Sequence, residues 1–124
     1  MTMYQDVKDS MVSSGKGTRE NTLTGEFCFN ENLNVFKGHF PGLPVLPGVM
    51  QIEMVQHVMK KNTGISYKIK SIKKAKFSSQ IVPGETINVS LSFYPMGDDS
   101  VNVKAVVSVG EKTSGKIAVN LLKP

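Results

Sequence analysis

Residues 36–57 read FKGHFPGLPVLPGVMQIEMVQH, and this stretch decides the fold. Its first half holds three of the chain's six prolines and has glycines on both sides of His39, which excludes a regular helix or a central strand. From Gly48 onward there is no proline or glycine until Gly64. The stretch therefore predicts a rigid loop that presents a histidine, followed directly by a helix.

The predicted helix combines an apolar stripe with one carboxyl group. Apolar side chains recur at near-helical spacing at Val49, Ile52, Val55 and Met59. Pro47 suits the first helical turn, because its missing N–H would have no partner there in any case. Glu53 follows on the second turn among mostly apolar neighbours. A helical glutamate is ordinarily a solvated surface residue, but a carboxyl group in apolar surroundings indicates a function.

Two blocks of sequence resemble one family, the FabZ-type 3-hydroxyacyl-acyl-carrier-protein dehydratases of the FabA/FabZ-like hot-dog family. The first block, HFPGLPVLPGVMQIE at residues 39–53, is similar to the family pattern HFPGxPxxPGVLxxE without a gap. The second, KAKF at 74–77 followed by IVPGE at 81–85, resembles the family's ARF…VVPGD segment. The resemblance covers the chain from about Thr22 onward. It implies an α+β hot-dog fold, an antiparallel sheet wrapped around one long central helix.

The strand pattern leads to the same architecture independently. Alternating apolar and polar residues predict strands at 22–30, 65–77, 87–93, 101–109 and 117–121, with turns at 78–84, 95–99 and 110–112. Strands joined by tight turns pair antiparallel, and one helix can bury its stripe on such a sheet. We expect residues 1–124 to form one domain. Residues 1–20 are the least defined part: Tyr4, Val7 and Met11 can share one face of a short helix, and 13–17 reads as a flexible joint.

The resemblance assigns chemistry to named residues. Dehydrating a 3-hydroxyacyl thioester requires removing a proton from C2, stabilising the thioester oxygen and protonating the departing hydroxyl group. By resemblance, His39 is the base, Glu53 the partner carboxyl group, and the Gly48 N–H holds the thioester carbonyl. The family's sites form across a dimer, with the histidine from one subunit and the carboxyl group from the other. Without the motif, His39 would be an ordinary loop residue and Gly48 a residue chosen for close packing.

The remaining residues of the predicted substrate site are Phe40, Pro47, Val49 and His57. His57 stands where the family usually has glutamine, one helical turn after Glu53, so the two side chains can touch. In one interpretation His57 orients or acidifies Glu53. In the other it is a tolerated polar substitute for the glutamine, whose function Gln56 covers from the adjacent position. We favour the second interpretation. The chain also lacks a match to the family's usual N-terminal segment, which leaves the preferred acyl chain length open.

Charge and composition limit the partners. The chain of 124 residues carries a formal net charge of +5, and five of its lysines lie between residues 68 and 76. These protect the edge of a sheet, or they dock an acidic acyl carrier protein through Lys73, Lys74 and Lys76. Nucleic acid is disfavoured, since no aromatic residues alternate with the lysines. Two histidines and scattered acids lack the spacing of a metal site, and we predict no cofactor.

The compartment is predicted from what the sequence lacks. No apolar run is long enough to span a bilayer, and the first ten residues have no secretory core. The single cysteine, Cys28, cannot form an internal disulfide and reads as a residue of a reducing compartment or a buried strand filler. The cytoplasm is therefore expected.

Taken together, these features predict a cytoplasmic homodimeric dehydratase. It would remove water from (3R)-3-hydroxyacyl-acyl-carrier-protein to give the trans-2-enoyl product, in fatty acid or specialised lipid or polyketide biosynthesis. Two alternatives stay open: a hot-dog acyl thioesterase, and a non-catalytic acyl-binding subunit.

Overall fold

The structure, a computed structural model, describes residues 3–33, Phe36 and residues 44–124. Within these residues the elements follow in the order α1 (Met3–Ser10), β1 (Met11–Lys16), β2 (Thr22–Phe27), α2 (Gly48–Thr63), β3 (Lys68–Phe77), β4 (Ile87–Met96), β5 (Ser100–Val109) and β6 (Lys112–Leu122). The strands form one antiparallel sheet in the order β1-β2-β4-β5-β6-β3. This arrangement confirms the predicted α+β class.

The central strands bury one face against α2, as their alternation predicts. Opposed pairs such as Val89 with Val107 and Leu91 with Ala105 are buried, while the intervening residues are exposed or half-buried. Strand β4 is longer than predicted, because Pro95 and Met96 still pair with β5 and the turn begins only at Gly97. A proline is tolerated this close to a strand end, where one missing donor costs little. Cys28 is exposed, so the expectation of a buried strand filler was wrong.

Helix α2 ends where the sequence predicts. Gly64 adopts a left-handed backbone (φ 77°) and its N–H donates to the Lys60 carbonyl at 2.8 Å, which is a regular helix stop. Pro47 does not lie in the first turn as predicted. It precedes the helix with an extended backbone, where its fixed φ is equally acceptable.

The apolar stripe of α2 is only partly buried. Ile52, Val55 and Met59 are in the core as predicted, but Val49 is 53% exposed. Position 49 lies on the same side of the helix as position 53, one turn away, and this side is not covered by the chain's own sheet. The prediction that Val49 faces the core was therefore wrong. At its N-terminal half, α2 thus has a face that the described residues leave open.

The N-terminal residues form defined elements. Helix α1 contacts α2 and buries Val7 completely. The expected flexible joint at 13–17 was wrong, since Ser13–Lys16 belong to β1 and pair with β2. Side chains reinforce this pairing: Ser14 Oγ donates to the Thr24 carbonyl at 3.0 Å and accepts from Asn62 Nδ2 at 2.7 Å. These bonds connect the first strand to α2.

Strand β3 is the sheet edge that the lysine-rich segment predicts. Of the strands in the described residues it pairs only with β6, and all ten of its residues are exposed. Its register with β6 shifts at Lys70 and again at Lys73. Bulges and lysines are both features that protect an edge from unwanted pairing. Exposed apolar side chains nevertheless remain on it, at Ile69, Ile72 and Phe77.

Gly115 on β6 makes a testable close contact with α2. A methyl group there would collide with Gln51 Oε1 and lie 3.4 Å from Phe77 Cδ1. Gln51 is 2% exposed, so a methyl group at position 115 would force its buried amide to shift. We expect Gly115→Ala to lower the free energy of unfolding by about 1–3 kcal/mol, the usual effect of overpacking, in chemical denaturation.

Two variants control this measurement. Gly15→Ala should have little effect, because nothing lies within 4 Å of a methyl group at that position. Adding Gln51→Ala to Gly115→Ala should recover part of the loss by vacating the space. Wild-type stability of Gly115→Ala alone would contradict the described packing.

Candidate active site

Glu53 lies in a cavity on the open face of α2. The cavity has a volume of about 210 Å³ and is lined by Tyr4, Glu53, Gln56, His57, Lys60, Ser66, Tyr67 and Lys68. Desolvation by burial raises the pKa of the Glu53 carboxyl group. No hydrogen bond joins Glu53 to another described residue. A partly desolvated carboxyl group without a cationic partner retains its proton more readily, which suits a proton donor.

Gly48 lies in a second cavity, at the N-terminus of α2. This cavity has a volume of about 240 Å³ and is lined by Val45, Leu46, Gly48, Gln51, Phe77, Ser78, Ser79 and Gln80. No side chain of the described residues caps the helix, and the Met50 N–H donates to the Pro47 carbonyl at 3.0 Å. Among these residues the Gly48 and Val49 amides therefore stay available to a ligand that develops negative charge. Gly48 is also needed for packing, since a Cβ atom there would approach Phe77 Cε2 to 2.5 Å.

The two sequence blocks meet at this second cavity. The Leu46 N–H donates to the Ile81 carbonyl at 2.8 Å, which joins the segment before α2 to the segment after β3. The Glu85 carboxylate accepts a hydrogen bond from the Val82 N–H at 2.8 Å and closes the turn. One backbone hydrogen bond between the two blocks thus holds the segment that leads into Gly48.

Gly48 and Glu53 do not share a cavity within one chain. Five residues of α-helix advance by about 7.5 Å and rotate by about 140° beyond a full turn, which places the two positions on different sides of α2. The Gly48 side faces β3 through Phe77, and the Glu53 side faces Tyr67 and α1. Neither of the two cavities is lined by both residues.

His57 is a buried, neutral imidazole next to Glu53. It is 7% exposed, and its Nδ1 has no hydrogen-bond partner among the described residues. Burial lowers its pKa, and the positive charges of Lys60, Lys8 and Lys61 lower it further. The Tyr4 ring meets the imidazole edge-on, with 5.8 Å between centroids. His57 and Glu53 line the same cavity, but no hydrogen bond connects them.

Gln56 lines the Glu53 cavity and holds the segment that precedes β3. Its side-chain amide donates to the Tyr67 carbonyl at 3.3 Å, which fixes the segment before β3. The suggestion that Gln56 covers for the family's glutamine stays a prediction. The role of His57 also stays a prediction.

The predicted site residues are distributed as follows. His39 and Phe40 lie outside the described residues. Pro47 is half-buried beside Gly48, and Val49 is exposed on the Glu53 side of α2. Lys73, Lys74 and Lys76 are exposed on β3 and line neither cavity. Sequence reasoning missed Tyr4 and Lys60 as neighbours of Glu53. The one sequence feature that involved Tyr4 was its helical spacing to Val7, which predicts a shared helix face and no contact with Glu53.

The raised pKa of Glu53 has a measurable effect on stability. The folded chain binds this proton more tightly than the unfolded chain, whose glutamate has a pKa of about 4.3. The free energy of unfolding therefore falls as pH rises from that value through the raised folded pKa. We expect Glu53→Gln to be more stable than wild type at pH 7, with the difference disappearing below about pH 4. Denaturation at both pH values measures this.

A matched carboxylate on the surface controls for general charge effects. Glu111→Gln changes an exposed residue of the β5–β6 turn and should show no comparable gain at pH 7. If Glu53→Gln and wild type had the same free energy of unfolding at pH 7 as well as at pH 4, the Glu53 carboxyl group would not be desolvated.

Neither a metal-ligand cluster nor a membrane-spanning helix is found among the described residues. In residues 3–33, 36 and 44–124, no three His, Cys, Asp or Glu side chains lie close enough to hold an ion. Among the same residues, no helix has the length and apolar character needed to cross a membrane.

The arrangement agrees with one family. Residues 15–116 match the model of the ApeI-like family, described as ApeI dehydratase. The chain belongs to the ApeI-like dehydratase family. The matched residues include all of α2, with Gly48 and Glu53, and at least part of every strand.

Several relatives of this ApeI-like chain bear the name 3-hydroxyacyl-[acyl-carrier-protein] dehydratase FabZ. The protein of Levilactobacillus brevis is 33% identical over 100 residues, which are 75% of this chain and 66% of that protein. The protein of Enterococcus faecalis is 31% identical over 118 residues, 88% of this chain and 76% of that protein. The chain thus spans about two thirds to three quarters of the length of these curated relatives.

Solved structures show the same fold. The dehydratase heterocomplex ApeI:P from Xenorhabdus doucetiae is similar with a TM-score of 0.76 at 21% identity, covering 90% of this chain and 96% of that one. A hypothetical thioesterase with coenzyme A from Streptococcus pneumoniae gives a TM-score of 0.68 at 6% identity, covering 98% and 94%. The predicted hot-dog fold and the resemblance to the FabA/FabZ-like family are confirmed.

Proposed function

We propose that the chain is a dehydratase that removes water from (3R)-3-hydroxyacyl-acyl-carrier-protein and forms the trans-2-enoyl thioester. The observation that carries this proposal is Glu53, a carboxyl group with a raised pKa in a cavity on α2. Glu53 follows the HFPG segment at the spacing of the FabZ-type family pattern that residues 39–53 resemble. Its surroundings suit a group that delivers a proton to a leaving hydroxyl group.

The proposed reaction uses three groups and balances within the site. His39 takes the proton from C2, and the electron pair moves toward the thioester carbonyl. The carbonyl oxygen accepts a hydrogen bond from the Gly48 N–H. The double bond then forms between C2 and C3 as the C3–O bond breaks. Glu53 gives its proton to the departing oxygen, which leaves as water. The proton held by His39 returns to Glu53 through solvent or directly, and the enzyme is restored.

The proposal includes a homodimer. Gly48 and Glu53 lie on different sides of α2, so one complete site needs two copies of the chain. The open face of α2, with Val49 53% exposed, presents apolar area that a second copy can cover. An isologous dimer would use this area and create two equivalent sites.

The remaining parts of the proposal concern setting and partners. Acyl carrier protein docks on Lys73, Lys74 and Lys76, whose exposure on β3 supports a role in attracting an acidic surface. Phe40, Pro47, Val49 and His57 line the bound acyl thioester. The 124 residues act as one domain in the cytoplasm, in fatty acid or specialised lipid or polyketide biosynthesis, and need no cofactor.

A mass-resolved assay tests this function. The protein is incubated with 3-hydroxyacyl chains of several lengths, each carried on acyl carrier protein and on coenzyme A. We expect loss of water with the thioester intact. Hydrolysis without water loss would indicate a thioesterase instead. No change on any substrate, with the dimer confirmed by light scattering, would indicate a binding subunit.

A further inference from the structure

The cations of the sheet are concentrated on neighbouring strands. Eight of the chain's 15 lysine and arginine residues lie there, five on β3, one on β5 and two on β6, and all eight are lysines. The four adjacent strands β4, β5, β6 and β3, which the structure describes throughout, contain no aspartate or glutamate. The carboxylates next to these strands lie outside them, at Glu85, Asp98, Asp99 and Glu111. This part of the sheet is therefore strongly cationic.

Several of these lysines lie on the outer face of the sheet, the side turned away from α2. Lys104 and Val106 alternate with buried residues of β5 and are themselves exposed, which places them on this side. Lys116 of β6 lies opposite Val106 and also directly opposite Lys76 of β3. Like charges at opposed positions repel, and no described carboxylate forms an ion pair with either lysine. The outer face thus holds positive charge that the described residues do not neutralise.

Protection of the sheet edge explains only part of this charge. It accounts for the lysines of β3, which is an edge strand. It does not account for Lys104 and Lys116, because β5 and β6 each have a strand on both sides. Neither residue lines the cavity of Glu53 or that of Gly48. An extended partner with negative charge would account for both.

Exposed apolar side chains accompany the lysines on the outer face. Tyr94, Val106 and Leu122 are 49%, 40% and 37% exposed. Each of them lies at, or opposite, a β5 position that alternates with buried residues, which puts all three on the outer face. The surface of an anionic bilayer attracts lysines and accommodates tyrosine at the level of the headgroups. A nucleic-acid surface would instead favour arginines and several stacking aromatic side chains.

We propose that the outer face of β4, β5 and β6 binds the surface of an anionic lipid bilayer, with Lys104 and Lys116 in the contact. This inference goes beyond the proposed function and does not depend on it. A bilayer suits this side of the sheet better than the carrier protein does. A carrier centred on these two lysines would hold its thioester on the opposite side of the sheet from α2, away from Gly48 and Glu53. The β3 lysines are left to the carrier, and the open face of α2 to a second copy.

Co-sedimentation with lipid vesicles tests the outer face. We expect the protein to bind vesicles of phosphatidylglycerol and phosphatidylcholine in equal parts, and to stay in solution with phosphatidylcholine alone. Lys104→Gln/Lys116→Gln should weaken the binding about 30-fold, the effect of two lysine charges near such a surface. High salt should weaken the binding of wild type.

Two variants serve as matched controls. Lys8→Gln/Lys61→Gln removes two exposed charges from α1 and α2 and should weaken binding less than about threefold, because screening limits charges far from the lipid. Lys104→Arg/Lys116→Arg keeps the charge of the outer face and should bind like wild type. All of the substituted side chains are exposed, so each variant should have the wild-type midpoint of thermal unfolding.

Three results would overturn the proposal: no preference of wild type for the anionic vesicles, an unchanged affinity in Lys104→Gln/Lys116→Gln, or an equal loss in Lys8→Gln/Lys61→Gln. The last result would mean that net charge alone causes the binding. A raised KM for carrier-bound substrate in Lys104→Gln/Lys116→Gln, with vesicle binding intact, would assign the outer face to the carrier protein instead. Because vesicle binding needs no turnover, the sedimentation results are independent of whether the protein dehydrates.

Discussion

Replacing Glu53 by glutamine is expected to slow water loss by about 10²–10⁴-fold, the usual contribution of a general acid. Glutamine has nearly the same shape but cannot protonate the departing hydroxyl group. The loss should fall mainly on kcat, since the amide still fills the cavity. The measurement is the initial rate of enoyl thioester formation at pH 7.

The expected stability of the same variant sharpens the test. Because burial raises the pKa of Glu53, the glutamine variant should be at least as stable as wild type at pH 7. Lost activity together with retained stability cannot be attributed to unfolding. The control is Glu111→Gln, an exposed change that should keep the wild-type rate. A wild-type rate in Glu53→Gln would remove this carboxyl group from the chemistry.

The second large effect is complementation between two inactive variants. His39→Ala and Glu53→Gln should each lose most of the activity when pure. Co-expressed, they form mixed dimers in which one site has both intact residues and the other has neither. With random pairing of an isologous dimer, about a quarter of the wild-type rate should return.

Purification through two different tags isolates the mixed dimer, which should have about half the wild-type rate. A mixed dimer carrying both substitutions on one chain is a useful control, since there both sites lack one of the two groups. It should stay nearly inactive. If the mixture of single variants were as inactive as its components, Glu53 and His39 would act within one chain. That result would contradict the shared site.

The main architecture was readable from the sequence because its determinants are local. Alternation at Ile87, Val89 and Leu91 follows directly from the pleat of a half-buried strand. The stop at Gly64 follows from the conformation that a helix end requires. Both depend on residues within a few positions of each other, and the structure agrees at each.

Other features depend on tertiary contacts that no local pattern encodes. Helical spacing identifies Val49 as part of an apolar stripe, but it does not reveal that the sheet stops short of it. Helix α1 has only eight residues, too few to be stable alone, and its position is set by packing on α2. Tyr4 meets His57 across more than fifty residues of sequence, so its place beside the site was not predictable.

The most direct test of the dehydratase proposal follows oxygen from water. The protein is incubated with a trans-2-enoyl thioester in water enriched in heavy oxygen, and the products are fragmented by mass spectrometry. Running in reverse, a dehydratase places the label in the C3 hydroxyl group and leaves the thioester intact, which is the predicted result. Label in a released carboxylic acid, or in no product, would contradict it.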